Sequence, residues 1–460
     1  MEGLEIKEKK LYEVLSNKDF RIDSSFYTKE PKKNPNLIYA KIGEHLISSQ
    51  YGISIEMNTD SVGYPIYRMN EIHDMLCDLD VDKCADITQA EYDRFALKNR
   101  DVLFNRTNSF EWVGRTGIYY QNDDIQRTFA SYLVRLNPKD SILPEYLCAY
   151  LNCKYGEWDV KRRARQSINQ TNVNPEEVKE IEIPILNIDL QRKIQECFTR
   201  ANSLKVLSKT TYSEAELILH EELDIDLSAM ISTTVTQKRF SDFVNSGRLD
   251  AEYYQPKYDK IETVIQSYKG GSDVVSSFFT QNKTACTFDK QVYKYIEIGD
   301  INIGNGEVNY SLIPTEELPA NAKIIVNKGD LLVSKVRPYR GAVAIVDFAE
   351  KDIIASGAFT VLQEKQGMKK EVLQVLLRTS FYKDWLLKWN VGSSYPVIKD
   401  DDILNLLIPK ISENIQRQIA AKVQESFTLK AKSKRLLNLA KTAVETAIER
   451  GESAALRLLD

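Results

Sequence analysis

The sequence predicts an α+β protein built as a tandem duplication, in which two globular α/β domains alternate with two long helices. Three observations support this prediction: β-rich runs recur in both halves, a set of motifs returns in the same order, and each half ends in a long apolar seam. The offset between matched motifs stays between 225 and 229 residues. Chance matches would scatter in both order and offset.

The repeated motifs define the two copies. They are Arg21-x-Asp23 with Arg248-x-Asp250, Tyr67 with Tyr295, Asp101 with Asp330, Gly114 with Gly341, Ile183-Pro184 with Ile408-Pro409, and Gln191-Arg-Lys-Ile194 with Gln416-Arg-Gln-Ile419. We therefore expect a globular domain at 1–187, a central spacer helix at 188–225, a second globular domain at 226–411 and a C-terminal spacer helix at 412–460.

Within each domain, β-rich runs precede helical spacing. The runs at 102–104, 117–120 and 131–136, and at 324–326, 330–333 and 342–346, are typical of half-buried strands. Apolar residues at 144–152 and 371–389 fall at helical spacing instead.

Each copy ends in a seam of alternating three- and four-residue steps, as a coiled coil requires. The seams are Ile194, Cys197, Ala201, Leu204, Ser208, Thr211, Ala215 and Ile218, then Ile419, Lys422, Ser426, Leu429, Ser433, Leu436, Ala440 and Ala443. The shared phase favours an antiparallel pair of helices, although each helix lying on its own domain is the alternative. A helix over 188–223 is about 50 Å long at ~1.5 Å per residue. A pseudo-twofold pair of domains at a fixed separation suits a ligand with two spaced sites, such as duplex DNA.

The composition favours a globular protein and argues against a membrane-spanning or zinc-binding one. The chain is 43% hydrophobic and 28% charged, typical of globular proteins, and no stretch reaches the roughly 18 apolar residues of a membrane span. The charged start, MEGLEIKEKK, does not resemble a signal peptide, so we expect a cytoplasmic protein. The six cysteines form no C-x-x-C pair and do not cluster with the three histidines, which argues against a zinc site. The net charge of −4 argues mildly against nucleic acid, unless one basic face is offset elsewhere.

A search for catalytic motifs finds none. The sequence has no phosphate-binding G-x-x-x-x-G-K-[ST] loop, no G-x-S-x-G elbow and no Asn-Pro-Pro-aromatic motif of amino-methyltransferases. The acid pairs at Asp123 and at Asp400 fit turns or helix starts better than a metal-dependent nuclease. We therefore expect no catalytic residue, no bound metal and no cofactor in this chain.

Basic and polar segments at matching places in the two copies predict a DNA-binding surface. Arginine pairs with guanine and Asn or Gln with adenine, whereas lysine and serine hold phosphates. For any single residue, a solvated surface charge is the alternative. The candidates are Asn105, Arg106, Asn108, Arg115, Arg162, Arg163, Arg165, Gln166, Lys335, Arg337, Tyr339, Arg340, Ser393, Ser394 and Tyr395.

Taken together, these motifs resemble the specificity subunit of type I restriction–modification systems over nearly the full chain. The resemblance implies two target-recognition domains, each reading half of a bipartite DNA sequence, and two helices that set the unread gap. It also implies a non-catalytic chain that binds two methyltransferase subunits carrying S-adenosylmethionine and, in some assemblies, ATP-driven restriction subunits. Those partners would dock on the exposed flanks of the helices.

Two departures from the family pattern are local. The usual glycine before Asp101 is Arg100, and the closing Pro-x-Pro element keeps one proline in each copy. Two other functions remain open from the sequence: an adaptor of another phage-defence methylation system, and a protein-binding scaffold that does not recognise DNA.

Overall fold

Two long helices organise the chain in a computed structural model that describes residues 8–15, 21–28, 30–31, 33–168, 170–224, 236–348, 350–392 and 395–460. Its contacts divide the chain into two units, and each long helix contributes one segment to each unit. Unit 1 comprises Met1–Val206 and Leu429–Asp460, and unit 2 comprises Leu207–Thr428. Within the described residues, no helix is both long and apolar enough to cross a membrane.

The first copy runs from an N-terminal helix to the first long helix. Its elements are α1 Leu11–Leu15, α2 Ser24–Thr28, β1 Tyr39–Lys41, β2 Leu46–Tyr51, β3 Tyr64–Tyr67, β4 Ile72–His73, β5 Leu76–Cys77, β6 Cys84–Ala85, α3 Gln89–Phe95, β7 Asp101–Asn105, β8 Thr107–Asn108, β9 Thr116–Tyr119, β10 Thr128–Phe129, β11 Leu133–Pro138, α4 Pro144–Asn152, α5 Lys154–Arg163, β12 Arg165–Gln166, β13 Thr171–Asn172, α6 Pro175–Lys179, β14 Glu182–Pro184 and α7 Ile188–Leu223.

The second copy has a related series of elements, in which the second long helix is followed by one short helix. Its elements are α8 Phe240–Ser246, α9 Pro256–Gln266, β15 Ser272–Val274, α10 Val275–Phe278, β16 Phe279–Gln281, β17 Val292–Ile296, β18 Ile301–Asn302, β19 Glu307–Val308, β20 Ser311–Pro314, β21 Ala322–Val326, β22 Leu331–Ser334, β23 Val343–Ile345, β24 Ile353–Ser356, β25 Phe359–Glu364, α11 Lys370–Arg378, α12 Ser380–Leu386, α13 Asp400–Leu404, β26 Leu407–Pro409, α14 Glu413–Arg450 and α15 Glu452–Leu459.

The central sheets of the two units share one strand order. Unit 1 has β2-β11-β7-β9, extended by β5 and β4, and unit 2 has β16-β25-β22-β23. In each unit an early strand also pairs antiparallel with the strand that precedes the long helix, β1 with β14 and β15 with β26. The predicted duplication is therefore confirmed at the level of topology.

The central strands lie where the sequence predicts them, but they are buried on both faces rather than one. Every residue of β7 and of β22 is buried. Neighbouring residues enter different cores: Val102 packs with helix α4, whereas Leu103 packs with Tyr119 and Phe129 on the other face. Leu331 and Leu332 divide between two cores in the same way. The expectation of half-buried strands is wrong because a second apolar layer covers the face assigned to solvent.

The turn before β7 has an arginine where the second copy has a glycine. Arg100 has φ 71° and the matching Gly329 has φ 96°, so both adopt the left-handed conformation that favours glycine. The Arg100 side chain donates two hydrogen bonds to the buried Glu145 carboxylate, at 2.8 and 2.7 Å. This ion pair gives the arginine a role that a glycine could not fill.

The glutamine of the closing motif links each long helix to its domain. The Gln191 side chain accepts a hydrogen bond from the backbone N–H of Leu143, the N-cap of α4, at 2.8 Å. In the second copy, Gln416 accepts from the backbone N–H of Lys369, the N-cap of α11, at 2.9 Å. Both glutamines are buried, so each satisfies an otherwise orphaned helix donor.

The long helices pair with each other within each unit, as the seam predicts. In unit 1, Ser433 Oγ of α14 donates to the carbonyl of Ala201 in α7 at 2.7 Å. In unit 2, Lys422 pairs with Glu214 at 2.7 Å. The seam also packs on the globular cores, so the two packings considered from the sequence coexist. The predicted C-terminal helix is interrupted, because α14 ends at Arg450 and Gly451 has φ 87°.

Candidate nucleic-acid interface

A small three-stranded sheet in unit 1 gathers candidate residues that are distant in sequence. Strands β12, β13 and β8 pair in that order, all antiparallel. Arg165 and Gln166 lie on one outer strand of this sheet and are exposed, and Asn108 lies on the other outer strand and is half-buried. The predicted segments around 105–109 and 161–166 therefore meet in one surface.

Unit 2 has the same arrangement in reduced form. Val397 forms antiparallel bridges with both Val336 and Val391, at the positions that match β13, β8 and β12. The backbone N–H of Arg337 donates to the carbonyl of Pro396 at 2.8 Å, which holds the 335–340 loop against the segment that carries Tyr395. Ser393 and Ser394, also candidates, lie outside the described residues.

An arginine stacked on an exposed aromatic ring is the common chemical feature of the two surfaces. In unit 1, the Arg115 guanidinium lies 3.7 Å from the centroid of the Trp112 ring, and its Nη1 donates to the carbonyl of Ile72 at 2.9 Å. In unit 2, the Arg337 guanidinium lies 4.6 Å from the centroid of the Tyr395 ring. Stacking on an aromatic face holds a guanidinium plane in a fixed orientation.

Arg106 is a half-buried candidate that lies beside an aromatic ring. Its guanidinium lies 5.2 Å from the ring centroid of the exposed Tyr51, and no carboxylate pairs with it within the described ranges. Its Nε is buried and has no hydrogen-bond partner there. A buried donor of this kind is costly, so an anionic or carbonyl acceptor at this place would be stabilising.

Lys335 occupies the equivalent position in unit 2 but is already paired. Its ammonium lies 3.0 Å from the Asp400 carboxylate. Burial alone would raise the pKa of Asp400, but the Thr360 hydroxyl and the Lys335 ammonium together lower it. The two surfaces are thus alike in backbone and different in charge.

Arg337 adds a strained backbone to the unit 2 surface. Its φ of 48° lies in the left-handed region, immediately before Pro338. Tyr339 is half-buried and Arg340 is exposed in the short 3-10 turn that follows. Such strain in a non-glycine residue is a feature of binding loops, where surrounding contacts hold it in place.

Three sequence candidates are not retained. Asn105 is fully buried at the end of β7. Arg162 and Arg163 both pair with Asp159, the second at 3.2 Å, and both lie over the Phe26 ring. They belong to helix α5 rather than to a loop, and the three- and four-residue spacing from Asp159 is the sequence signal of such pairs.

Two aromatic residues of the surface were missed by the sequence. Trp112 could have been found, because it lies in the same loop as Arg115 and an exposed aromatic beside a cation is typical of binding sites. Tyr51 has no local signal, since it lies on β2 and meets Arg106 only through the sheet.

Comparison with curated proteins finds two relatives, while no protein-family model matches. A protein of Methanocaldococcus jannaschii named as the MjaX specificity subunit of a type I restriction enzyme is 28% identical over 155 residues, which is 33% of this chain and 36% of that protein. The type I restriction enzyme EcoKI specificity subunit of Escherichia coli is 21% identical over 159 residues, 34% of each chain. The matched segments thus span about a third of each relative's own length. The resemblance found in the motifs is confirmed over that part.

Solved structures of the same kind align with nearly the whole chain at low similarity. The S subunit of a type I restriction–modification system from M. genitalium is 13% identical, covers 94% of this chain and 98% of its own, and has a TM-score of 0.40. The HsdS subunit of Thermoanaerobacter tengcongensis is 12% identical, covers 91% and 98%, and has a TM-score of 0.29.

Proposed function

We propose that this chain is the specificity subunit of a type I restriction–modification system, in which each globular domain reads one half of a bipartite DNA target. The observation that carries the proposal is the paired surface: two domains of one strand order each present an arginine stacked on an exposed aromatic ring, although the two arginines occupy different positions in the two copies. Both curated relatives are named as specificity subunits of type I restriction enzymes, which supports the proposal.

The retained residues divide by chemistry. Arg106, Arg115 and Arg337 offer planar donor pairs that fit the guanine edge in the major groove. Asn108 and Gln166 offer the amide pair that fits adenine. Arg165, Lys335, Tyr339, Arg340 and Tyr395, with Ser393 and Ser394, complete the surface as phosphate or shape contacts.

The helices set the distance between the half-sites, and partner subunits supply the chemistry. The reading domains are 1–187 and 226–411, and the spacer helices are 188–225 and 412–460. Two methyltransferase subunits carrying S-adenosylmethionine bind to this chain, and in some assemblies ATP-dependent restriction subunits join them. The chain itself is not an enzyme and binds no cofactor, and the complex works in the cytoplasm, where the DNA lies.

Selection from a random duplex library tests this function. The purified complex of the chain with its methyltransferase should enrich two short sequences separated by a gap of constant length. A protein scaffold would enrich nothing, and an adaptor of another methylation system would enrich a single undivided sequence. The isolated chain, incubated with labelled S-adenosylmethionine and DNA, should transfer no methyl group, and transfer would refute the non-catalytic assignment.

A further inference from the structure

The first described helix of each copy presents large apolar side chains to solvent at equivalent positions. In α1, Leu11 is 72% and Leu15 is 56% exposed, and in α8 Phe240 is 79% and Val244 is 65% exposed. These residues match at an offset of 229, and the pattern of exposed and half-buried residues is the same over 8–15 and 237–244. In each helix the two residues are four apart, so they lie on one face.

Both helices have the same local contacts: a carboxylate caps the N-terminal end of each helix, and a lysine beside it lies over a tyrosine ring of the same unit. The backbone N–H of Lys10 donates to Glu13 at 2.8 Å, and that of Arg239 donates to Asp242 at 2.8 Å. On the inner side, Lys9 lies over the Tyr27 ring at 5.6 Å. In unit 2, Lys238 lies over the Tyr254 ring at 6.0 Å.

The Arg-x-Asp motif beside each helix is the anchor of this arrangement. Arg21 pairs with Asp23 through Nε at 2.8 Å and donates to the carbonyl of Arg163 at 2.9 Å. Arg248 pairs with Asp250 and donates to the carbonyl of Trp389, the matching residue of unit 2. The arginine side chain of each motif is turned inward, and the apolar residue that follows it, Ile22 or Leu249, is exposed.

Each outward face also carries one cation at the N-terminal end of its helix. Lys10 and Arg239 occupy equivalent positions and are exposed, and neither forms an ion pair within the described stretches of the chain. The two faces therefore offer the same chemistry twice: a cation, followed by two apolar side chains one helical turn apart. A complementary partner surface has an apolar groove with a carboxylate at one end.

We propose that α1 and α8, rather than the flanks of the long helices that the resemblance implies, are two equivalent docking sites for the methyltransferase subunit, one copy binding at each. This inference rests on the proposed function and adds the surface through which the partner binds. A chain that offers the same exposed surface twice suits a partner present in two copies, whereas binding of one asymmetric partner would need only one of them. The surface of the methyltransferase subunit that binds here is therefore expected to have an apolar groove with a carboxylate at one end.

Native mass spectrometry of the chain with its methyltransferase subunit tests the proposal. The wild-type chain should bind two copies. The double variants Leu11→Ser/Leu15→Ser and Phe240→Ser/Val244→Ser should each weaken one site by roughly tenfold or more, leaving one copy, and the combined variant should bind none. Lys10→Glu and Arg239→Glu should weaken the same sites by about threefold.

The controls separate docking from folding. Ile47→Ser and Leu312→Ser remove equally exposed apolar side chains elsewhere in the two units and should leave two copies bound. Thermal melting of every variant should match the wild type, because the substituted side chains are already in solvent. Two bound copies in all variants would overturn the proposal, as would a wild-type chain that binds one copy.

Other occupants give different results. If the isolated wild-type chain dimerises and the variants do not, the faces join two copies of this chain and the proposal is wrong. A wild-type chain that binds no methyltransferase under any condition contradicts the proposed function itself, whereas variants that keep both copies contradict only the docking sites.

Discussion

Ser208 and Ser426 bind each other reciprocally across the two long helices. The Ser208 hydroxyl donates to the Ser426 carbonyl at 2.8 Å, and the Ser426 hydroxyl donates to the Ser208 carbonyl at 2.8 Å. Both side chains are buried. Such hydroxyl-to-carbonyl bonds require the helix axes to approach closely, which only small residues allow.

We therefore expect Ser208→Leu to separate the helices and destabilise the protein. Forcing a larger side chain into a packed seam costs about 1–3 kcal/mol. Ser203→Leu places the same side chain on an exposed position of α7 and should leave the midpoint of thermal unfolding nearly unchanged. Equal melting temperatures for both variants would show that the seam is not closely packed.

Arg100→Gly should destabilise the protein even though glycine suits the left-handed backbone at this position. The substitution leaves the fully buried Glu145 carboxylate without its guanidinium partner, at a cost of about 2 kcal/mol in unfolding free energy. Adding Glu145→Gln removes the unpaired charge and should recover part of the loss. Urea denaturation of both single variants and the double variant measures this coupling. Additive effects would mean that the pair does not stabilise the turn.

Arg106→Ala and Arg337→Ala should weaken DNA binding without changing the melting temperature. If the arginine reads a base, the loss falls on one position of one half-site and amounts to roughly 1–3 kcal/mol. If it holds a phosphate, affinity falls for all sequences. The slope of the logarithm of the binding constant against the logarithm of the salt concentration then becomes shallower by about one. Binding titrations at several salt concentrations distinguish these outcomes. Lys323→Ala, an exposed cation outside both surfaces, is the control.

Seven residues inserted into each long helix should lengthen the gap between half-sites. Two helical turns add about 10 Å at ~1.5 Å per residue and keep the seam in phase. That length corresponds to roughly three base pairs at 3.4 Å each. Methylome sequencing of cells carrying the lengthened chain and its partners reports the gap. A gap that keeps its wild-type length would contradict the spacer role of the helices.

Thiol labelling should find most cysteines of the folded protein unreactive from pH 7 to 9. Burial raises the pKa of Cys77, Cys148 and Cys197, and raises that of Cys153 to about 12, so these thiols keep their protons. Unfolded thiols ionise near pH ~8.5. Stability should therefore fall as pH rises above that value, since the unfolded state then loses protons that the folded state keeps.

Mass spectrometry after brief labelling checks this prediction. Cys286 is the only cysteine of the six that is not buried, so it should react first. Fast labelling of Cys148 or Cys153 in the folded protein would show that these cores open readily.

The sequence alone determined the duplication, the places of the central strands and the two long helices with their pairing phase. Each of these follows from the spacing of residues along the sequence. Helices and strands repeat their apolar residues with a fixed period, and that period can be seen within a short stretch of chain. The start of α7 at Ile188 and its end at Leu223 agree with the predicted helix for this reason.

Only the tertiary structure decided which cations remain available to a ligand. Arg162 and Arg163 share the Asp159 carboxylate and lie over the Phe26 ring, whereas Arg106 contacts Tyr51 of a distant strand and pairs with no carboxylate among the described residues. The burial of β7 on both faces was settled in the same way. Ion pairing and burial depend on which side chains meet in space, and a short-range pattern carries no information about partners far away in the chain.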